Sequence, residues 1–200
     1  MKHRVVKFAK QWYKSNLIPM EDTIKVHGKE FELFIRSSEI SGMVDEIALK
    51  LNHDLEGKDV IFVGILNGAF IFAADLIRRI KMNCRISFVK TASYKGTQTT
   101  GHVETLIGLG DEIKGKTVVV IEDIIDTGLT LEEVLKQLRN HQPAEIFVVA
   151  LLFKCDACIK DVRIDYLGRE IPNDFVIGYG LDCDGHGRNL RDIYKIKNLC

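Results

Sequence analysis

Three carboxylates and two hydroxyls fall within one short stretch of this chain, Glu122-Asp123-Ile124-Ile125-Asp126-Thr127-Gly128-Leu129-Thr130. Groups of these types, set so close together, suit a ligand that carries both a phosphate and free hydroxyls. Carboxylates accept hydrogen bonds from vicinal sugar hydroxyls or coordinate Mg²⁺. They repel a phosphate, so something else must meet it. Backbone N–H groups from Asp126 to Thr130 serve if a helix begins there, because its first amides are unpaired and its dipole favours an anion. Gly128 admits close backbone approach, and Thr127 and Thr130 add hydroxyl donors. An ordinary strand–turn–helix also uses Asp and Thr as caps. Three acids in the positions around one Ile-Ile pair exceed what capping needs, and the segment reads as a site for a phosphorylated sugar.

The elements that must hold these groups flank them directly. Val118-Val119-Val120-Ile121 is an uninterrupted run of β-branched residues, the pattern of a strand buried on both faces of a parallel sheet. Leu131, Val134, Leu135 and Leu138 follow at the spacing of one helix face. The turn between them lies at the carboxyl end of a strand, where open α/β sheets bind ligands. Further strands are expected at Phe31–Ile35, Val60–Leu66, Ile86–Ala92 and Ile146–Phe153, with shorter ones at Phe175–Tyr179 and Ile193–Ile196. A helix capped by Ser37 or Ser38 should bury Ile40, Met43, Val44, Ile47, Ala48 and Leu51, and a second should span Phe70–Ile80. Leu106–Leu109 and Val118–Ile121 bracket Lys114-Gly115-Lys116, as in a hairpin. Lys95–His102 reads as a mobile polar loop. Strands alternating with helices give an α/β fold, with a mainly parallel twisted sheet flanked by helices. We expect one domain over 23–200, with a small subdomain made by the two chain ends and 1–22 as an extension.

Bulk properties narrow the function. Two hundred residues suffice for one full-sized core, and 46% hydrophobic with 28% charged residues is ordinary for a globular chain. The formal net charge is zero, so a general electrostatic grip on nucleic acid or on a membrane is not indicated. The five cysteines are odd in number, which argues for free thiols in a reducing, cytoplasmic setting. Cys155-Asp156-Ala157-Cys158 is a C-x-x-C, but no second ligand pair accompanies it, and His186 likewise has no partner at metal-ligand spacing. The amino terminus has scattered charges and no apolar core of a signal peptide.

The string Glu122 to Thr130 resembles the phosphoribosyl-pyrophosphate loop of the purine phosphoribosyltransferases, in the form found in the hypoxanthine-guanine branch. The likeness extends from about Phe31 to Ile196 with the motifs in the family's order. It implies the type I phosphoribosyltransferase fold with a small hood subdomain. It implies transfer of the 5-phosphoribosyl group to N9 of hypoxanthine or guanine in purine salvage, giving IMP or GMP and diphosphate. Asp126 would then handle the purine N7 proton, with Asp123 and Glu122 on the ribose and metal side. Leu66-Asn67-Gly68 matches the family's pyrophosphate loop, with Asn67 where the family usually has Lys. Ser93 and Tyr94 match the pair that closes over the diphosphate, and Lys90 is a further candidate to support it. Lys154 would donate to the purine O6, Phe175 would stack on the base, and the Val176 backbone would read its edge, with Ile124 and Asp182 beside it. Arg188 would bind diphosphate. Mg²⁺ is the implied cofactor, with Glu122, Asp123 and Asp182 as its ligands, and a homodimer or homotetramer is the implied assembly.

Three other readings share these motifs. A xanthine- or guanine-preferring relative would keep Lys154, since those bases also carry O6. A phosphoribosyl-pyrophosphate-sensing RNA-binding regulator would need a basic face that this neutral chain does not indicate. A silent dimerisation module would have no use for Asp126, Lys154, Asp182 and Arg188 together.

Overall fold

The structure, a computed structural model, describes residues 22–91, 103–107 and 113–197. The chain enters as two short strands, β1 (Thr23–Val26) and β2 (Lys29–Ile35), and continues into helix α1 (Ser37–Asp54). There follow β3 (Val60–Leu66), α2 (Phe70–Ile77), β4 (Cys84–Thr91), β5 (Val103–Ile107) and β6 (Thr117–Ile125). Helix α3 (Leu129–Asn140), β7 (Glu145–Phe153), β8 (Tyr166–Glu170), β9 (Val176–Ile177) and β10 (Ile193–Ile196) complete it.

The main sheet has the order β5-β4-β3-β6-β7-β8. Strands β4, β3, β6, β7 and β8 run parallel, and β5 joins the edge antiparallel to β4. Side-chain alternation along the central strands splits the core in two. Val60, Phe62, Val119, Ile121, Val149 and Leu151 pack with the apolar faces of α1 and α2. Ile61, Val63, Val118, Val120 and Val148 face the other way, against Leu131, Val134, Leu135 and Leu138 of α3. Each large aliphatic side chain so buried stabilises the fold by roughly 1.5–3 kcal/mol. Helices thus cover both faces of a parallel sheet, which is why its strands can be apolar throughout.

The strand order has one consequence for function. From β3 the chain crosses to β4 on one side, and from β6 it crosses to β7 on the other. Their carboxyl ends therefore diverge around a topological switch point, which places Leu66-Asn67-Gly68 and the Glu122–Thr130 segment at the same crevice.

A separate antiparallel sheet, β1-β2-β10-β9, joins the two ends of the described chain over its own core of Phe31, Ile177, Cys183 and Tyr194. It is tied to the main body where the Ser37 N–H donates to Asp192 Oδ1 at 2.6 Å.

Several sequence expectations need correction. Strand β5 spans Val103–Ile107 and pairs with β4, and β6 pairs in parallel with β3 and β7, so no hairpin joins β5 to β6. The turn at Gly115 is present, with φ +70. A turn fixes where a strand starts but not which neighbour it takes, and β6, buried on both faces, takes two parallel ones. Helix α1 is capped by Arg36 rather than Ser37 or Ser38, with Glu39 Oε2 accepting the Arg36 N–H at 3.0 Å. The second helix ends at Ile77, and β9 is shortened because Gly178, Tyr179 and Gly180 all turn through positive φ. Strands β1 and β8 had no clear period. Lys95–His102 lies outside the described residues.

Candidate active site

The carboxyl ends of β3, β6 and β7 meet the segment after β9 around a cavity of about 260 Å³. Asp123, Ile124 and Asp126 line it from the end of β6, and Lys154 from the end of β7. Phe175, just before β9, and Val176, its first residue, enter next, with Leu181, Asp182 and Arg188 from the segment that follows. A smaller hollow of about 70 Å³ adjoins it, lined by Glu122, Asp126, Thr127, Gly128 and Thr130. Gly128 stands at the amino end of α3 with φ +80, a left-handed conformation that turns the strand into the helix. Leu129 N–H reaches Thr127 Oγ1 at 3.5 Å, and Ile159 N–H donates to the Thr127 carbonyl at 3.1 Å. The loop is therefore braced through the Thr127 carbonyl, and it lines the hollow at the start of a helix, the setting that receives a phosphate.

Glu122 and Asp123 are both buried, an expensive place for carboxylates. Among the described residues Glu122 Oε2 has no hydrogen-bond partner. Burial, reinforced by the neighbouring Asp123 charge, pushes the Glu122 carboxyl well above the usual range. Burial also raises Asp123 to about 6, against its own and the Ile124 backbone N–H and the Arg188 guanidinium, while Asp182 adds to the rise. Gly68 explains how Asp123 fits. A Cβ at Gly68 would collide with the Asp123 carboxylate. The Leu66–Asn67 peptide just before it is cis. Gly180 closes against the other side of the same turn, since a Cβ there would collide with the Gly68 carbonyl.

Lys154 is 6% exposed, and its Nζ lies 3.1 Å from Asp126 Oδ2. Its own N–H donates to the Ile125 carbonyl at 2.9 Å, which locks the end of β7 to the end of β6. Arg188 Nη1 donates to the Gly180 carbonyl at 2.6 Å, and its Nη2 pairs with Asp182 Oδ1 at 2.6 Å. Asp182 Oδ2 accepts the Gly185 N–H at 2.6 Å. The glycine-rich turn from Cys183 to Gly187 thus folds back on Asp182 and leaves Arg188 lining the cavity. Phe175 is 38% exposed, with the Phe31 ring centroid 6.3 Å behind it.

The structure brings Glu122, Asp123, Ile124, Asp126, Thr127, Gly128, Thr130, Gly68, Lys154, Phe175, Val176, Asp182 and Arg188 to the two adjoining hollows. Leu66 and Asn67 lead into Gly68 without lining either, and the Leu129 side chain is exposed. Lys90 is exposed at the level of Leu66. Ser93 and Tyr94 lie outside the described residues. Sequence reasoning missed Leu181 as a wall, Gly180 as a backbone contact, and Cys158 and Lys160 as the groups packed on Gly128. Only the Gly180 position carried a signal, its residue type.

Among the described residues no group of three or more His, Cys, Asp or Glu could by itself hold a metal ion. Asp123 and Asp182 nevertheless line one cavity, and Glu122, with its unpartnered oxygen, lines the hollow that adjoins it. Hard carboxylate oxygens in that number suit Mg²⁺, which is usually held by one or two carboxylates together with substrate phosphates and water. His186 stacks on His27 with ring centroids 5.1 Å apart, and the Cys155 and Cys158 thiols are free.

Fold and site together define a type I phosphoribosyltransferase. The phosphoribosyl transferase domain model matches residues 37–184. The chain is 36% identical over 173 residues to hypoxanthine-guanine phosphoribosyltransferase of Staphylococcus aureus, covering 86% of this chain and 97% of that one. It is 33% identical over 176 residues to that of Aquifex aeolicus, covering 87% and 99%. The crystal structure of a Bacillus anthracis hypoxanthine-guanine phosphoribosyltransferase superposes with a TM-score of 0.76 at 37% identity, over 84% of this chain and 97% of that one. The chain belongs to the hypoxanthine-guanine phosphoribosyltransferase family.

Proposed function

We propose that this enzyme transfers the 5-phosphoribosyl group from phosphoribosyl pyrophosphate to N9 of a 6-oxopurine, hypoxanthine or guanine, in purine salvage. The observation that carries the base assignment is the pair Asp126 Oδ2 and Lys154 Nζ, 3.1 Å apart on one wall of the cavity. A 6-oxopurine presents N7 and O6 side by side. Lys154 donates to O6, and Asp126 accepts the N7 proton, which raises the nucleophilicity of N9. Adenine offers an amino group where O6 would be, and two donors face each other. Phe175 stacks on the base, and Ile124 and the Val176 backbone complete its slot.

The phosphorylated ribose occupies the smaller hollow. Backbone N–H groups of the Asp126–Thr130 turn and the Thr127 and Thr130 hydroxyls receive its 5-phosphate. Glu122, whose buried oxygen lacks a donor, accepts from a ribose hydroxyl. The C1–O bond breaks through a transition state with oxocarbenium character, so charge develops on the departing diphosphate. Arg188 and the Gly68 turn meet that charge. Mg²⁺, held by Asp123 and Asp182 with substrate oxygens, supplies further charge neutralisation when bound. We also propose a homo-oligomer, the assembly that the family resemblance implies.

The test is a set of initial rates with hypoxanthine, guanine, xanthine and adenine, each with phosphoribosyl pyrophosphate and Mg²⁺. The 6-oxopurines should react and adenine should not. Turnover of adenine alone, or of no base, rejects the assignment.

A further inference from the structure

We infer that Lys29 is a positioning residue of the base site, acting from behind Phe175. The inference rests on reading Phe175 as the ring that stacks on the purine.

Lys29 opens β2, directly after the β1–β2 turn. Its ammonium lies 5.8 Å from the Phe175 ring centroid, within the range of a cation–π contact. It also donates to Cys183 Sγ at 3.6 Å. Among the described residues two other lysines sit over rings, Lys58 over Phe147 and Lys195 over Phe34. Both also pair with a carboxylate, Glu145 and Glu32 respectively. Among the described residues Lys29 has no carboxylate partner, and its charge is directed at an aromatic face and a thiol. The two groups it touches flank the base cavity. Phe175 lines that cavity, and Cys183 adjoins Asp182, which lines it too. Cys183 is buried and exchanges backbone hydrogen bonds with His186 at 2.9 and 3.0 Å, so it is a fixed anchor.

Lys29 stands outside the cavity lining. Its charge sits over Phe175 without lining the cavity that the ring bounds, and Phe31 packs on the same ring at 6.3 Å; we place the ammonium on the face turned away from the base. A cation on that side draws the ring's negative face toward itself and lowers the negative potential presented to the cavity. An electron-rich purine then stacks with less repulsion on a ring already held in place.

The experiment compares Lys29→Met, which keeps the apolar stem, Lys29→Arg, which keeps the charge, Phe175→Leu, and Lys29→Met with Phe175→Leu. Lys29→Met should raise KM for hypoxanthine about three- to five-fold, the effect of one exposed cation–π contact. It should leave kcat and KM for phosphoribosyl pyrophosphate within about twofold, since a uniform binding contact to the base moves only the base KM. Lys29→Arg should restore the wild-type value. In the Phe175→Leu background Lys29→Met should add nothing, because the ring through which it acts is gone. If Phe175→Leu raises the base KM and Lys29→Met does not, the inference fails and the base-site reading stands. If Lys29→Met acts equally with and without the ring, the inference also fails. If Phe175→Leu leaves the base KM unchanged, the base-site reading fails and the inference falls with it.

Discussion

Asp126 Oδ2 and Lys154 Nζ are 3.1 Å apart, yet the two side chains differ sharply in exposure, 50% for the acid and 8% for the lysine. The lysine is the fixed member, buried at the end of β7, and the acid is the group free to follow a proton. This asymmetry fits their proposed division of labour. Asp126→Asn should lower kcat by about 10²–10⁴, the usual worth of a general acid–base group. KM for phosphoribosyl pyrophosphate should change by less than about threefold, because the phosphate contacts are backbone amides and hydroxyls. Steady-state kinetics decide it, and near-normal turnover would refute the role.

Lys154→Met keeps the buried stem and removes the donor. Loss of a charged hydrogen bond worth about 1.5–3 kcal/mol should lower kcat/KM for hypoxanthine about 10–150-fold. Discrimination against adenine should shrink with it, since the mismatched donor is gone. Competition assays with both bases measure this. Unchanged discrimination would place base selection elsewhere, in the Val176 backbone contacts.

Glu122 predicts a conflict between stability and activity. Its carboxyl is held well above the ordinary value of 4.5, so the folded chain binds that proton more tightly than the unfolded one. The cost to stability is absent where both states are protonated, and it grows as pH rises above about 4.5. Glu122→Gln should therefore melt higher than wild type at pH 8, by about 2–4 °C for each kcal/mol regained. The gap should close as the pH falls toward 5. The same variant should bind phosphoribosyl pyrophosphate less well. Thermal unfolding across pH tests the first half, and a lower melting point for Glu122→Gln at pH 8 would contradict it.

Asp123, raised to about 6, should govern the acid limb of the pH profile. The proposed metal contact needs the carboxylate, so kcat/KM for phosphoribosyl pyrophosphate should fall as pH drops through about 6. Asp123→Asn has no proton to lose there, and it should show a low, flat profile over the same range. A limb that survives in this variant belongs to another group.

Much of the frame was legible before any coordinates. Val60–Leu66 and Ile193–Ile196 match β3 and β10, and the six apolar positions expected on α1 are the ones buried. These segments carry either unbroken apolar runs or a clean helical period, and burial imposes both. Edges were harder. Strand β8 contains Gly168 and Arg169, and it forms because Gly168 lets it close on the Leu151 carbonyl, a contact with no local signature. The site divided the same way. The Glu122–Thr130 string announced itself by composition. The pairing of Arg188 with Asp182, the packing of Asp123 on Gly68, and the Lys160 and Cys158 brace on Gly128 join positions far apart in the chain. Such pairs exist only once the strand order brings them together.

The contact of Gly180 with the Gly68 carbonyl, and of Gly68 with Asp123, also bears on how this pocket could be re-engineered. Where a glycine closes on a neighbouring carbonyl or a buried carboxylate with no room for a Cβ, mutation has no graded steps to explore, and any larger residue forces the neighbouring segments apart. A library aimed at new bases should therefore hold positions 68, 128, 178 and 180 constant. Diversity belongs at 124, 175 and 181, where side chains rather than main chain shape the wall.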